Sequence, residues 1–492
     1  GNDRFVADYL RSELLDRLPP ETVSFLTRTS VLERLSGPLC DAILDTSGSG
    51  EVLESLATSN LLLVPLDRQR EWYRYHHLFG ELLGAELQRR EPELVGQLHL
   101  RAAGWCEANG LAEMAIDHAQ AAGDTDRVAR LVTSLIRPTA AAGRVDTVRR
   151  WLAWFQDQGL VDRYPAVAVQ GTWIFALWGQ PAAAERWADA AERGRSDGTL
   201  PDGSTMDGQL ALLRALLCRG GVDQMGADAQ AGLAGLSPAS GWRAPALLLQ
   251  GTSYLLGGEP QRADPILADA VEVGISDHAM PAVAVALAER GLVAIQDHDW
   301  DQAERFADRA STIVQRGHLD DYVLSAVVYA VAARTAAHRG EAERAHGQLA
   351  RAARLRPQLT YATPQLAVQT LLELGRAYLG IGDAAGAKVT LREANDILRL
   401  RPDLGVLPKE AEELESQLDT VHEQILGASS LTRAELRVLP LLATHLTFWE
   451  IGERLYISRH TVKAHAGSVY RKLGVASRGE AVQRARELGL GA

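Results

Sequence analysis

Basic and small side chains near the C-terminus have the types and spacing of a helix that reads DNA. In the segment that follows Ser458, a predicted N-cap, apolar residues recur at helical spacing. This stripe consists of Val462, Ala466, Val469 and Leu473. The opposite face presents His460, Lys463, Ala464, Gly467 and Arg471. Because such a helix meets base edges mainly with its N-terminal half, we predict that Lys463 contacts a base or a phosphate.

The small residues on this face limit what it can read. Ala464 and Gly467 permit close approach to the duplex but offer no side-chain hydrogen bonds, so direct readout is sparse and DNA shape contributes. Arg471, Lys472 and Arg478 cluster near the far end of the helix, where we predict phosphate contacts. The alternative is that each is simply a solvated charge.

Two preceding helices position this one. Thr432 with Glu435, and Thr447 with Glu450, have the spacing of capping boxes, which satisfy unpaired amides at a helix start. The second box opens the helix F-W-E-I-G-E-R-L, which ends near Tyr456. A tight turn then leads into the basic helix, and the pair forms a predicted helix-turn-helix.

Charge is divided unevenly along the 492 residues. The chain has a formal net charge of −12, yet from Leu431 onward ten Lys and Arg stand against five acidic residues, a net of +5. The remainder therefore carries −17. An acidic body with a basic tail favours nucleic acid as the partner of the tail alone.

The middle of the chain repeats with a period of about forty residues. Similar turn segments begin at Gly110, Gly143, Gly179, Gly220, Gly258, His298, Gly340 and Gly382. Five residues into each comes a residue that lets two helices pack closely: Ala115, Val148, Ala184, Met225, Ala263, Ala303, Ala345 and Ala387. Helix hairpins of this kind stack into a solenoid with a binding surface, similar to tetratricopeptide repeats. Glycine at the turn supplies the left-handed backbone that ends a helix.

Tryptophans cluster in the first repeats: Trp151, Trp154, Trp173, Trp178 and Trp187. A groove that they line would suit a small apolar or sugar-like effector. The alternative is that they form the core between repeats.

Four regions follow from these patterns, in a fold that is dominated by α-helices. Residues 1–97 combine helices at Arg4–Leu18, Pro20–Thr29 and Pro38–Asp45 with two strand-like runs, which predicts a small winged-helix-like domain. Residues 98–400 form the helical-repeat solenoid, 401–430 a linker with an acidic helix, and 431–492 the helix-turn-helix domain.

Family resemblances sharpen these expectations. The C-terminal wording L-T-x-x-E, E-I-x-x-x-L-x-I-S-x-x-T-V-K-x-H and K-L-G-V-x-x-R resembles LuxR-type DNA-binding domains. This resemblance places Thr461, Lys463 and His465 on the recognition helix, with the last two near DNA, and makes the last helix, Arg478–Leu488, a dimer contact. Residues 25–42, L-L-L-V-P-L-D and W-Y-R-Y-H-H-L-F resemble the large ATP-binding, MalT-like branch of those regulators.

The nucleotide-binding module of that branch is absent from this sequence. A Walker A loop needs a Gly-Lys pair, and none of the four lysines follows a glycine. We therefore expect no bound cofactor, with ATP only where a nucleotide-binding domain precedes Gly1; because the chain opens on Gly, we expect further residues upstream. By resemblance to related ATPases, His76 or His77 would then face a nucleotide, although adjacent histidines at a strand end are more often structural.

Three functional hypotheses follow. The first is a cytoplasmic, bacterial transcription regulator that binds double-stranded DNA as a homodimer, with an effector or protein partner on the repeats and RNA polymerase as a further partner. The second is an adaptor with a weakened DNA-binding tail, motivated by Ala464, Gly467 and the pair Phe448–Trp449, which replaces the family's usual polar pair. The exposed aromatic contacts a partner or a dimer mate, or else one or both residues pack locally. An enzyme is disfavoured because the sequence lacks H-E-x-x-H and other catalytic constellations.

Location and redox state are also constrained. No stretch of about 18 apolar residues predicts a membrane span, and the N-terminal residues lack the pattern of a signal peptide. Cys40, Cys106 and Cys218 are too few and too widely spaced for a disulfide framework or a four-ligand zinc site. We expect no metal and a reducing cytosol.

Overall fold

The computed structural model describes residue 15 and residues 18–59, 63–194, 198–200, 202–429 and 431–487, with side chains left aside at 422–429 and 487. The predicted helix Arg4–Leu18 lies almost entirely outside these residues. The chain divides into two compact units, one of residues 1–171 and 190–194 and one of 172–189 and 195–492. In the described part of the chain, no helix is both long and apolar enough to cross a bilayer.

The first unit opens with helices around a small antiparallel hairpin. Its elements are α1 (Pro20–Thr29), α2 (Gly37–Leu44), α3 (Ser49–Thr58), β1 (Leu63–Pro65), β2 (Tyr73–Tyr75) and α4 (His77–Arg90). Leu63 lies opposite Tyr75 in the hairpin, and Pro65 lies opposite Tyr73. The hairpin joins the helices through Tyr75, whose hydroxyl lies 2.7 Å from the Thr29 hydroxyl and whose ring meets Phe79 edge-on. The predicted helices at Pro20–Thr29 and Pro38–Asp45 and the predicted wing are confirmed.

Helix α3 is an addition to the prediction. Its first two residues, Ser49 and Gly50, are the second half of the run S-G-S-G, and Gly48 adopts a left-handed backbone immediately before the helix. Leu53 and Leu56 nevertheless bury one face of the helix. Tertiary packing therefore extends helical structure into a stretch where local propensity is weak.

Helix hairpins follow. Between residues 92 and 193 they are α5 (Pro92–Ala108), α6 (Ala112–Ala122), α7 (Thr125–Ala141), α8 (Val145–Asp157), α9 (Pro165–Leu177) and α10 (Pro181–Arg193). The second unit continues with α11 (Met206–Leu217), α12 (Gly221–Gly235), α13 (Arg243–Leu256), α14 (Pro260–Ser276), α15 (Met280–Gln296), α16 (Trp300–Arg316), α17 (Ser325–His338), α18 (Ala342–Leu355), α19 (Pro364–Gly380) and α20 (Ala384–Leu400). Each predicted turn lies between two helices, and α5 runs across the predicted boundary at residue 97.

The predicted turn residues adopt the left-handed backbone at every repeat except the fourth. Glycine is left-handed at Gly110, Gly143, Gly179, Gly258, Gly340 and Gly382, and His298 adopts the same conformation. At the fourth turn the prediction of Gly220 is wrong, because Gly220 has a φ of −95° and the left-handed residues are Cys218 and Gly221. All eight residues predicted to sit at close helix contacts are buried.

Most of the clustered tryptophans are buried. Trp151, Trp173 and Trp187 are buried, while Trp154 and Trp178 are partly buried. Within the second unit, the Trp173 ring packs on Trp242 with centroids 4.6 Å apart. These contacts favour the core role over the effector groove.

Candidate nucleic-acid interface

Four short helices form the C-terminal domain after the linker helix α21 (Leu407–Ser429). They are α22 (Arg433–Leu442), α23 (Phe448–Leu455), α24 (Arg459–Leu473) and α25 (Arg478–Glu487). Leu488, the predicted end of the last helix, lies outside the described residues.

Side-chain caps fix where three of these helices begin. The Glu435 amide donates to Thr432 Oγ1, and the Thr432 amide donates back to Glu435 Oε2 at 2.6 Å. The same reciprocal pair joins Thr447 and Glu450. Ser458 accepts from the Thr461 amide at 3.1 Å. The predicted capping boxes and N-cap are therefore confirmed.

A tight turn joins α23 to α24. Tyr456 ends α23 in the left-handed conformation, with a φ of 59°. The Ile457 amide then donates to the Gly452 carbonyl at 2.9 Å. A Cβ on Gly452 would lie only 2.6 Å from the Ile457 carbonyl oxygen, so no larger residue fits here without movement. Gly452 thus fixes the angle at which the recognition helix leaves the turn.

One apolar cluster holds the domain together. The predicted stripe of Val462, Ala466, Val469 and Leu473 is buried and packs in the same cluster as Leu439, Ile451 and Leu455. Helix α25 contributes Ala481 and Ala485 to this cluster. Since the stripe is buried, the other face of α24 is the one that solvent or DNA meets.

The exposed face carries most of the predicted DNA-binding residues. Ser458, His460, Lys463, Ala464, Gly467 and Arg471 are exposed, and Thr461 and His465 are partly buried. A Cβ placed on Gly467 would meet nothing within 4 Å. Lys463 and Arg471 have no ion-pair partner among the described side chains of residues 431–486. The structure therefore brings these residues together on one accessible, positively charged face.

Lys472 points the other way. Its Nζ donates to Glu435 Oε2 at 2.7 Å, which ties α24 to the start of α22. Burial opposes ionisation of Glu435, but hydrogen bonds from Lys472, the Thr432 amide and Ser468 outweigh it and lower the pKa of Glu435 to about 2. The ammonium of Lys472 thus stabilises the domain.

Arg478 is also engaged within the domain. Its Nε donates to the Leu442 carbonyl and its Nη1 to the Leu446 carbonyl, each at 2.8 Å. Its Nη2 donates to the carbonyls of Leu441 and Thr444. A guanidinium with four hydrogen bonds to the end of α22 and the following loop is a C-terminal cap for that helix. The predicted phosphate contacts of Lys472 and Arg478 therefore compete with these roles.

Other exposed groups were absent from the predicted set. Arg454 and Arg459 flank the turn and are exposed, with no ion-pair partner among the described residues of the domain. Tyr456 is 96% exposed. Their position beside the helix-turn-helix turn is the signal that could have found them.

The two aromatic residues at the start of α23 differ in their surroundings. Phe448 packs against the apolar cluster, and the Arg478 guanidinium lies 6.0 Å from its ring centre. Trp449 is 58% exposed. Local packing thus accounts for Phe448 only.

The other candidate sites are the adjacent histidines His76 and His77 and the three cysteines. His76 immediately precedes α4 and is exposed, and the His77 Nδ1 lies 3.6 Å from Glu81 Oε1. The three cysteines are free and buried, and burial raises the pKa of Cys40 and Cys218 to about 12. Within the described residues, no group of three or more His, Cys, Asp and Glu could hold a metal ion.

Two family models match the ends of this chain. Residues 11–95 match the MalT winged helix domain. Residues 429–485 match the luxR family of bacterial regulatory proteins. Both matches fall on the regions where the structure has the hairpin wing and the helix-turn-helix.

Curated relatives match parts of the chain. The HTH-type transcriptional regulator MalT of Vibrio campbellii is 30% identical over 174 residues, which are 35% of this chain and 19% of that protein. MalT of Vibrio cholerae is 34% identical over 133 residues, or 27% of this chain and 15% of that protein. The serine/threonine-protein kinase PknK of Mycobacterium tuberculosis is 35% identical over 132 residues, 27% of this chain and 12% of the kinase. The chain therefore spans less than a fifth of each relative's length.

A solved structure shares the architecture. A signal transduction ATPase with numerous domains and a tetratricopeptide repeat sensor, from Pyrococcus horikoshii, has a TM-score of 0.51 and 12% sequence identity. The likeness covers 84% of this chain and 65% of that chain. The predicted fold class is confirmed: a winged-helix domain, a helical-repeat region and a C-terminal LuxR-type helix-turn-helix.

Proposed function

We propose that this chain is the sensor and DNA-binding portion of a bacterial transcription regulator. One observation carries the proposal. The apolar stripe of α24 is buried in the core of its domain. The opposite face presents Lys463 and Arg471, which have no ion-pair partners among the described residues of the domain. A helix with one packed side and one free basic side, in a LuxR-type domain, is built to enter the major groove.

Charged residues and small residues have different roles at this interface. Lys463 and Arg471 supply cations for bases and phosphates, and Ala464 and Gly467 let the helix backbone approach the duplex. Lys472 and Arg478 hold α24 and α25 in place through Glu435 and the end of α22. We assign to these two residues a positioning role, and to Arg459 a phosphate contact.

We further propose that the regulator binds as a homodimer and takes its signal from the repeats. A two-fold dimer would place its half-sites about one helical turn, ~10 base pairs, apart. The repeat region would bind an effector or a protein partner, with RNA polymerase as a partner on DNA and the cytoplasm as the compartment. An ATP-binding domain upstream would bring His76 or His77 its nucleotide.

Selection from random DNA tests this function. The full chain is incubated with a pool of random duplexes, and bound sequences are enriched over several rounds. We expect a motif with two half-sites about 10 base pairs apart. The matched control is the double variant Lys388→Ala, Arg392→Ala, which removes two exposed cations from α20 in the repeats and should select the same motif. Failure to enrich any sequence would contradict the proposal.

The adaptor remains the second candidate because of the exposed aromatics. Trp449 lies in the first turn of α23 and Tyr456 is its C-cap, and both side chains are exposed. Under this alternative, Trp449→Ala lowers the recovery of a protein partner while the chain enriches no DNA sequence. Enrichment of a motif by both wild type and Trp449→Ala would reject it.

A further inference from the structure

A buried carboxyl group lies in the second unit, and none of the described residues forms an ion pair with it. Glu289 on α15 is 1% exposed, and its described hydrogen-bond partner is the Gln369 side chain on α19, whose Nε2 donates to Oε2 at 2.9 Å. Burial raises the pKa of Glu289 to about 7, and the negative charge of Glu373 adds to the effect. An uncompensated buried acid costs stability, and proteins keep such features mainly at functional sites.

Two buried amide oxygens on α19, one of them on the glutamine that contacts this carboxyl, accept no hydrogen bond from the described residues. Gln365 and Gln369 are one turn apart on the same face of α19, and both are buried. Gln365 donates through Nε2 to the Leu216 carbonyl at 3.0 Å, and Gln369 donates to Glu289. These donations fix both amides, because a flipped amide would set oxygen against oxygen. Oε1 of each glutamine is buried and unpartnered.

The cluster is therefore rich in acceptors, and it carries a negative charge whenever Glu289 is ionised. A primary ammonium carries one positive charge, three N–H donors and no acceptor. A hydroxyl-bearing ligand offers one donor and no charge, so it would leave an acceptor unpaired and the Glu289 carboxylate unneutralised. A hard metal ion would require more oxygen ligands than this cluster supplies.

Resting on the proposed role of the repeats as sensor, we propose that Glu289, Gln365 and Gln369 bind the primary ammonium group of a small organic effector. The Glu289 carboxylate would neutralise the charge, and the two amide oxygens would accept the remaining N–H donors. The effector class is thus a small amine.

The site adjoins a network that reaches the linker helix. One turn beyond Gln369, Glu373 pairs with Arg376, and its Oε2 lies 3.6 Å from Arg334 Nε on α17. Arg376 in turn lies 3.0 Å from Glu410 on α21, the helix that leads to the DNA-binding domain. A cation at Glu289 would relieve its repulsion with Glu373 and thereby change the field on this network.

Calorimetry on the full chain tests the site with n-propylammonium chloride as probe. Sodium chloride at equal concentration controls for ionic strength, and 1-propanol is the neutral control of similar shape. We expect saturable binding of the amine and none of the alcohol. Glu289→Gln keeps the size of the side chain and should weaken binding by about tenfold or more, because it removes a charge-assisted hydrogen bond.

Two further variants complete the test. Gln365→Met removes one acceptor and should weaken binding several-fold, whereas Glu343→Gln, an exposed acid on α18, should leave it unchanged. Absence of amine binding, equal binding by Glu289→Gln, or binding of 1-propanol as tight as that of the amine would overturn the proposal. DNA selection without amine tests the proposed function separately, so the two failures are distinguishable.

Discussion

Lys472 Nζ lies 2.7 Å from Glu435 Oε2, so an ion pair to a residue of the capping box binds α24 to the first helix of its domain. The neighbouring Arg471 is exposed and has no such partner among the described residues of the domain. Two adjacent cations on one helix therefore have different roles, because Lys472 forms an ion pair within the domain and Arg471 is available to a ligand.

The first prediction separates these two cations. Lys472→Met should lower the free energy of unfolding of the domain by about 1–2 kcal/mol at pH 7, since it removes a charge-assisted hydrogen bond to a buried carboxylate. Because the pKa of folded Glu435 is about 2 against an ordinary 4.5, this stability is present above about pH 4.5 and is lost as the pH falls toward 2. Denaturant unfolding at pH 7 and pH 2.5 measures it.

Arg471→Met is the matched control. It should leave the unfolding curve unchanged and weaken DNA binding instead. An equal stability loss in both variants would refute the division of roles.

The second prediction concerns Arg478. Arg478→Ala removes the donors to four carbonyls and should destabilise the domain by about 2–4 kcal/mol. Arg478→Lys should recover little, because an ammonium on a flexible stem cannot reproduce the planar fork of donors. Thermal unfolding followed by circular dichroism measures the change. Arg486→Ala, at an exposed position on α25, should behave like wild type.

The third prediction concerns backbone approach at Gly467. Gly467→Leu should not destabilise the helix, because the added side chain meets open space and Gly is a poor helix former. We expect DNA affinity to fall by about tenfold or more, since the side chain would hold the helix away from the groove. Fluorescence anisotropy with a selected duplex measures affinity. Gly479→Leu, an equally open helical glycine on α25, should retain it.

The fourth prediction follows from Glu289. Its folded-state pKa of about 7 lies above the ordinary 4.5, so the contribution of Glu289 to stability is fully present below about pH 4.5 and is lost as the pH rises through 7. Glu289→Gln should therefore raise the free energy of unfolding at pH 8 by on the order of 3 kcal/mol, at ~1.4 kcal/mol per pH unit. At pH 4.5 the two proteins should be nearly equal. Urea unfolding at both pH values decides the matter, and a stability gain that does not vary with pH would disprove it.

Sequence patterns predict best where local backbone chemistry decides the structure. The capping residues Thr432, Thr447 and Ser458 and the turn glycine Gly340 were predictable because each acts on amides or dihedrals within a few residues. At the fourth repeat turn the same logic chose Gly220, but the adjacent Gly221 takes the left-handed conformation. With two glycines in a row, the sequence does not distinguish them.

Long-range partners were not predictable. The carbonyls that accept from Arg478 belong to residues 32–37 positions earlier, and Glu289 meets Gln369 eighty positions later. Periodicity places Arg471 on the face opposite the apolar stripe, but it does not identify Glu435 as the partner of Lys472, because that ion pair depends on the packing of α22 against α24. Face assignments follow from periodicity, whereas the partners on each face follow from tertiary packing.

Salt-dependent binding of the full chain to its selected duplex tests the central claim most directly. Fluorescence anisotropy over a range of salt concentrations should give an affinity that falls steeply with salt. In the double variant Lys463→Ala, Arg471→Ala, the slope of log affinity against log salt concentration should be smaller by about 0.9 for each phosphate that the protein no longer neutralises. The double variant Lys388→Ala, Arg392→Ala should reproduce the wild-type slope. Wild-type affinity and slope in the Lys463→Ala, Arg471→Ala variant would contradict the assignment of α24 as the helix that meets DNA.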